Sequence, residues 1–165
     1  MEGYDYASEG AYFVTMCTRD RECLFGRMEN GKMICNRYGQ IALACWQDIP
    51  GHFNHVLLDE YVVMPNHVHG IIWINGPRRG DACVAPAYLP NGPAKKSLGA
   101  IIGSFKSAVT RRINRSWKMA GESIWQRNYY EHIIRNDDEL NRITQYIADN
   151  PMNWAMDPEY VHVTY

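Results

Sequence analysis

The sequence lacks paired cysteines, a secretory signal and any long apolar run, and each absence excludes a class of protein. Its five cysteines form no C-x-x-C pair, which argues against a structural zinc site, and their odd number leaves at least one free thiol. The amino terminus has neither a basic nor an apolar stretch, so it does not resemble a secretory signal. No apolar run approaches the ~20 residues of a membrane-spanning helix. We therefore expect a cytoplasmic protein with no membrane partner.

Acidic residues are also missing between positions 95 and 118, although the whole chain carries a net charge of only -1. Seven basic residues fall in this segment: Lys95, Lys96, Lys106, Arg111, Arg112, Arg115 and Lys118. A one-sided charge distribution of this kind is typical of proteins that bind a polyanion such as nucleic acid. A solvated basic helix without a partner is the alternative.

The composition, 46% hydrophobic and 21% charged over 165 residues, predicts a single globular domain that spans residues 1–165. The apolar patterns predict a strand from Ala11, a helix over 37–49, two strands within 55–74 that break near Pro65, a helix capped by Ser97, a strand over 129–134 and a last helix after Asn136 or Asp137. Residues 75–96 contain many glycines and prolines and predict a flexible loop. This order indicates an α+β fold in which helices back a small antiparallel sheet.

Two histidines, His67 and His69, stand two residues apart in the apolar stretch Tyr61–Ile74, whose Val, Ile and Trp residues favour a strand. Side chains alternate along a strand, so both imidazoles project from one face and suit the binding of one metal ion. Two better-known His-x-His chemistries require Asp or a third His at position 71, which is Ile71. A pair of partly exposed strand residues without a metal is the alternative.

The last predicted helix carries Tyr146 and Asn150, which share one helical face because they are four residues apart. Tyr146 falls at the edge of the buried stripe that contains Ile143 and Ile147. Its ring can therefore pack while its hydroxyl stays accessible to a reactant. A boundary tyrosine whose hydroxyl only meets water is the alternative.

Four motifs in order, "YVVMPNHVHGIIWI", "SFKSAVTRRIN", "WQRNYYEHIIRN" and "YIADNP", resemble the REP-associated tyrosine transposases, a branch of the single-domain HUH (His-hydrophobic-His) nucleases. The resemblance extends from Ala11 to Trp154. It implies a ferredoxin-like or RRM-like antiparallel sheet backed by helices, with a C-terminal helix that carries a nucleophilic tyrosine. It also implies a single-stranded DNA endonuclease and strand transferase that acts on hairpin-containing repeat DNA.

The resemblance assigns roles to individual residues. His67 and His69 match the metal-binding histidines, and Tyr146 matches the nucleophile that forms a 5′-phosphotyrosine intermediate. Asn150 matches a polar residue that completes the metal site, where related transposases more often have Gln. The implied cofactor is a divalent metal ion, Mg²⁺ or Mn²⁺. Related enzymes include dimers that share active sites and monomers, so a homodimer and a monomer are both open.

Basic and aromatic residues supply the expected DNA contacts. The basic side chains hold the DNA backbone, and the aromatic rings stack on nucleobases. These candidates are Lys106, Arg111, Arg112, Arg115, Trp125, Tyr129 and Tyr130. Core and strand packing is the alternative for the three aromatics. Two other functions also stay open at this point: a non-catalytic RRM-like nucleic-acid-binding module, and a metal-dependent phosphoesterase that activates water.

Overall fold

A computed structural model describes residues 9–74, 97–117 and 121–160 of the chain. Its strands are β1 (Gly10–Cys17), β2 (Gly26–Glu29), β3 (Lys32–Cys35), β4 (Val56–Val63), β5 (His67–Ile74) and β6 (Tyr130–Ile134). Its helices are α1 (Arg37–Gln47), α2 (Ile49–His52), α3 (Leu98–Trp117) and α4 (Asp137–Asp149). The segment predicted as a flexible loop, 75–96, lies outside the described residues.

Four strands form one antiparallel sheet in the order β4-β5-β1-β6. Counted along the chain, these are the second, third, first and fourth long strands, which is the ferredoxin-like arrangement. The predicted α+β fold with an antiparallel sheet and backing helices is therefore confirmed. The break near Pro65 is also confirmed, because Pro65 has no backbone N–H for a ladder and stands in the turn between β4 and β5.

One face of the sheet is covered by α1 and α3. Trp46 of α1 lies against the backbone of Gly70 in β5, where an added Cβ would come within 2.3 Å of the indole. The Trp46 ring also meets Phe105 of α3 edge-on, with 5.4 Å between centroids. The predicted apolar stripe of α3 is buried here, and the Ser97 hydroxyl accepts the backbone N–H of Ala100 at 3.3 Å, as expected of an N-cap.

The opposite face is covered by α4. Its buried Ile147 packs with Phe13 of β1 and Ile71 of β5 in a second, smaller core. The helix begins after Asn136, whose side chain accepts the N–H of Glu139 at 2.8 Å. This packing places Tyr146, which precedes Ile147 in the helix, at the edge of the sheet face rather than inside it.

The β2–β3 hairpin forms a separate two-stranded sheet that was not predicted from the sequence. Its turn contains Asn30 and Gly31, which both have positive φ, +50° and +71°. These values are those of a type I′ turn, for which Asn-Gly is the favoured pair. The signal was present, but the strands are only four residues long. Within the described part of the chain, no helix has the length and apolar character needed to span a bilayer.

Candidate metal and nucleophile site

His67 and His69 lie side by side on the sheet face that α4 covers. Both side chains are buried, with 0% and 3% of the residue exposed, and their ring centroids are 4.3 Å apart. Thr15, the cross-strand neighbour of His69, places its hydroxyl 2.7 Å from His69 Nδ1. The other nitrogen of His69 is thereby directed toward α4.

Asp157 completes a buried cluster with the two histidines. One ligand atom from each of His67, His69 and Asp157 falls within 4.8 Å of the others. Asp157 was not among the predicted site residues, because no periodic pattern links it to the strand that carries the histidines. The available signal was its position beside Pro158, in the segment that follows the tyrosine-bearing helix.

Tyr146 reaches this cluster with its hydroxyl. Its Oη lies 3.3 Å from His69 Nε2 and donates a hydrogen bond of 3.1 Å to Asp157 Oδ2. Its ring meets Phe13 edge-on, and 40% of the residue is exposed. Burial, and then the charge of Asp157, raise the pKa of the Tyr146 phenol above its usual value. The hydroxyl is therefore protonated at neutral pH and held next to the histidines, on a residue that lines an open cleft.

Asn150, the predicted third metal ligand, lies beside Asp157. Its Nδ2 donates to Asp157 Oδ2, while its Oδ1 is buried and has no hydrogen-bond partner among the described residues. Asn150 is also the last residue of the helical turn, with a helical backbone conformation. The two roles that the sequence left open, helix end and site residue, are thus compatible.

The charge states of the cluster suit a cation. Burial, and then His69, lower the pKa of His67 to about 3, so this imidazole is neutral. Burial alone would raise the pKa of Asp157, but hydrogen bonds from His69, Asn150 and the backbone N–H of Glu159 outweigh it and lower that pKa below its usual value. Asp157 is therefore an anion between two imidazoles.

The donor set fits a divalent metal ion. It combines two imidazoles and a carboxylate, which are common ligands of such ions. Two further observations point the same way, since His67 Nε2 and Asn150 Oδ1 are both buried without a partner in the described residues. Buried polar atoms normally have partners. This His-His-Asp group can bind a metal ion.

A cleft of about 410 Å³ opens beside the cluster. Phe13, Tyr129 and Tyr130 contribute aromatic walls, and His69 and Tyr146 border it. Tyr130 is 58% exposed. Two of the three aromatics proposed to stack on nucleobases therefore border the same cleft as the candidate nucleophile, although Tyr129 also packs against the main core.

Trp125, the third of these aromatics, has a different position. Only 6% of the residue is exposed, its ring packs against Phe25 and Phe105, and its Nε1 donates to the carbonyl of Lys106. A ring that is enclosed in this way cannot stack on a nucleobase. The predicted base-stacking role of Trp125 is therefore corrected, because its ring packs in the core, as the alternative had it.

The basic residues of α3 do not converge on the cluster. Lys106 Nζ donates to the carbonyls of Gln126 and Asn128, each at 2.8 Å, and so holds the loop that borders the cleft. Arg112 pairs with Asp48 at 3.1 Å. Arg111 and Arg112 line a separate cavity with residues of α1 and α2, and Arg115 is exposed on the same helix. This helix packs on the sheet face opposite Tyr146.

All members of the cluster belong to one chain. The histidines come from β5, Tyr146 and Asn150 from α4 and its end, and Asp157 from the segment that follows. No second subunit is required to bring the tyrosine to the histidines. The homodimer stays a prediction.

The fold is that of a solved transposase. The structure of a REP-associated tyrosine transposase bound to a REP hairpin superposes with a TM-score of 0.63 at 19% sequence identity, covering 95% of this chain and 76% of that chain. No family model matches the sequence. An uncharacterized protein of Haemophilus influenzae strain Rd is 41% identical over 169 residues, which cover 98% of this chain and 91% of the relative. At that identity over nearly the full length of both sequences, the chain belongs to the same family as the Haemophilus influenzae protein.

Proposed function

We propose that this protein is a transposase-like enzyme that nicks and rejoins single-stranded DNA with Tyr146 as its nucleophile. One observation carries the proposal: Tyr146 Oη lies within 3.3 Å of both His69 Nε2 and Asp157 Oδ2, inside a buried His-His-Asp group. The fold shared with a transposase solved on a REP hairpin supports hairpin-bearing DNA as the substrate. The proposed site of action is the cytoplasm.

The proposed reaction exchanges one phosphodiester bond for another. The phenolic oxygen of Tyr146 attacks phosphorus, and the bond between phosphorus and the 3′ oxygen breaks. The hydrogen bond to Asp157 Oδ2 holds the Tyr146 hydroxyl in place; its proton is lost to solvent as the new bond forms, and the departing 3′ oxygen takes up a proton from solvent. The products are a 5′-phosphotyrosine and a free 3′-hydroxyl. Because the ester bond is conserved, the reverse attack rejoins the strand without hydrolysis.

The metal ion of this proposal is Mg²⁺ or Mn²⁺, held by His67, His69 and Asp157 with Asn150 Oδ1 available as a further donor. When bound, the cation polarises the scissile phosphate and offsets the carboxylate charge that raises the pKa of Tyr146. Asn150 contributes in either case, because its Nδ2 donates to Asp157 and orients that carboxylate.

The proposed DNA contacts divide between two surfaces. Tyr129 and Tyr130 stack on unpaired bases at the cleft that borders Tyr146. Arg111, Arg112 and Arg115 of α3 contact the backbone of a more distant part of the hairpin, because their helix packs on the other sheet face.

The test is capture of the covalent intermediate. Hairpin DNA with unpaired flanks is labelled at its 3′ end, because the downstream fragment is the one that stays on the tyrosine. After incubation with Mn²⁺, a labelled band with the mass of protein plus DNA on a denaturing gel supports the proposal. Cleavage without an adduct would instead indicate a phosphoesterase that activates water. Binding without any product would indicate a non-catalytic nucleic-acid-binding module.

A further inference from the structure

Asn66, which precedes His67 in the turn between β4 and β5, is a buried residue with three side-chain hydrogen bonds. Its Nδ2 is 2.7 Å from the carbonyl oxygen of Glu159 and 3.2 Å from that of Arg21. Its Oδ1 is 2.8 Å from His67 Nδ1. One amide thus contacts the metal-binding strand and the segment that carries Asp157.

These contacts fix the orientation of the amide. Backbone carbonyls only accept hydrogen bonds, so both hydrogens of the Asn66 NH₂ group are directed to Glu159 and Arg21. Oδ1 must then face His67, and an oxygen without hydrogen can only accept. The proton of the neutral His67 ring is therefore on Nδ1, and the lone pair is on Nε2.

The assigned tautomer is the one that a metal site needs. His67 belongs to the cluster with His69 and Asp157, and its Nε2 is the buried ring nitrogen without a partner among the described residues. A histidine ligand commonly donates its second N–H to a neighbouring oxygen, which fixes the ring and its proton. Asn66 Oδ1 occupies that position.

The same amide also anchors the segment Trp154–Tyr160, which we call the C-terminal strap. The backbone carbonyl of Glu159, in the strap, accepts a hydrogen bond from Asn66, and the N–H of Glu159 donates to Asp157 Oδ1 at 2.7 Å. Arg21 adds a second attachment, with 3.1 Å to the Glu159 carboxylate and 3.2 Å to the Pro158 carbonyl. The carboxylate of Asp157 is therefore held through the strap.

We propose that Asn66 is a positioning residue of the metal site, which sets the tautomer of His67 through Oδ1 and places Asp157 through Nδ2. The inference rests on the metal-binding part of the proposed function. It does not require that Tyr146 be the nucleophile.

The tautomer is tested first in the unaltered, metal-free protein. A two-bond ¹H–¹⁵N correlation spectrum of the histidine rings reports which nitrogen carries the proton, and His67→Gln identifies the signal. We expect protonated Nδ1 for His67. A proton on Nε2 would overturn the assignment.

Three variants then separate the two roles of Asn66, with Mn²⁺ affinity measured by the electron paramagnetic resonance signal of free Mn²⁺. Asn66→Ala loses both roles, so we expect a mixed His67 tautomer and an affinity about 10–100-fold lower. Asn66→Asp keeps the acceptor and loses both donors, so we expect the proton to stay on His67 Nδ1 while the strap loses its attachment to this side chain. Asn114→Ala is the matched control, because it removes an equivalent Nδ2 bond to the Glu122 carbonyl away from the site.

Equal Mn²⁺ affinity in the parent protein and Asn66→Ala, or a His67 proton on Nε2 in Asn66→Asp, would overturn the positioning role. If Asn66→Ala does not fold, Asn66→Asp and the parent spectrum still decide the question. None of these measurements uses DNA, so a failed adduct assay would refute the proposed reaction while the role of Asn66 would be judged separately.

Discussion

The phenolic oxygen of Tyr146 lies 3.3 Å from His69 Nε2, although 77 positions separate the two residues in the sequence. Hydrophobic packing brings them together. Phe13 contacts both rings, at 5.4 Å from His69 and 6.1 Å from Tyr146 between centroids. The adjacent Ile147 is fully buried against the same sheet face and fixes the rotation of α4. The position of the candidate nucleophile is thus a consequence of how an amphipathic helix packs on a sheet.

Removing the Tyr146 hydroxyl should abolish the covalent product and leave DNA binding intact. Tyr146→Phe keeps the ring that packs on Phe13 and loses only the contacts to His69 and Asp157. We expect no adduct on the denaturing gel and a near-normal affinity by fluorescence anisotropy. Tyr130→Phe is the matched control, since Tyr130 lies in the same cleft. An adduct of normal yield in Tyr146→Phe would assign the nucleophile to another residue.

Asp157→Asn should weaken metal binding, because it removes the anionic oxygen of the cluster with little change in size. We expect Mn²⁺ affinity to fall at least about tenfold, and adduct formation to recover partly at high Mn²⁺. EDTA should abolish the adduct in the unaltered protein. Asp149→Asn is the control, because Asp149 is exposed and its carboxylate accepts only from Gln145 among the contacts described. If adduct formation depended on Mn²⁺ concentration equally in both variants, Asp157 would not be a metal ligand.

Acid should destabilise the metal-free protein before most carboxylates titrate. The pKa of His67 is about 3 in the folded state against 6.5 ordinarily, so only the unfolded chain gains this proton as the pH falls through 6.5. The contribution of the neutral His67 ring to the free energy of unfolding is complete above pH 6.5. It is lost as the pH falls toward 3, at up to about 1.4 kcal/mol per pH unit. The lowered pKa of Asp157 acts in the same direction at lower pH.

Urea unfolding in EDTA, at several values from about pH 7 to about pH 4, measures this loss. His67→Gln carries no titratable ring and should show a smaller decrease in the free energy of unfolding. His52→Gln alters an exposed position, so its free energy of unfolding should decrease with falling pH as much as that of the parent protein. A parent protein whose stability does not change over this range would contradict the burial of a neutral His67.

The basic helix should contribute to the binding of hairpins but not of short single strands. Arg111→Ala combined with Arg112→Ala removes charges on the sheet face opposite Tyr146. For hairpin DNA we expect the slope of log K against log salt to decrease by about one to two units. For a short unpaired strand the slope should stay unchanged. Arg27→Ala with Arg37→Ala, outside α3, provides a charge-matched control, and identical hairpin slopes for both double variants would exclude these contacts.

Local patterns were sufficient to predict most of the fold. The two-residue period put His67 and His69 on one strand face, the spacing of Ile143 and Ile147 located the buried side of α4, and Pro65 marked the strand break. These features depend on residues only a few positions apart, and the geometry of a strand or helix fixes their relation. The short β2–β3 hairpin was missed because four-residue strands carry little periodicity.

The sequence by itself determined the histidine pair, the tyrosine-bearing helix and the α+β order of elements, since each follows from local backbone geometry. Only the tertiary structure decided that Asp157, and not Asn150 alone, completes the cluster, that Asn66 connects His67 to the strap, and that Trp125 belongs to the core. These relations join residues far apart in the chain or in irregular segments. They depend on which surfaces pack together to bury apolar area and satisfy buried polar groups, and no sequence period encodes that choice.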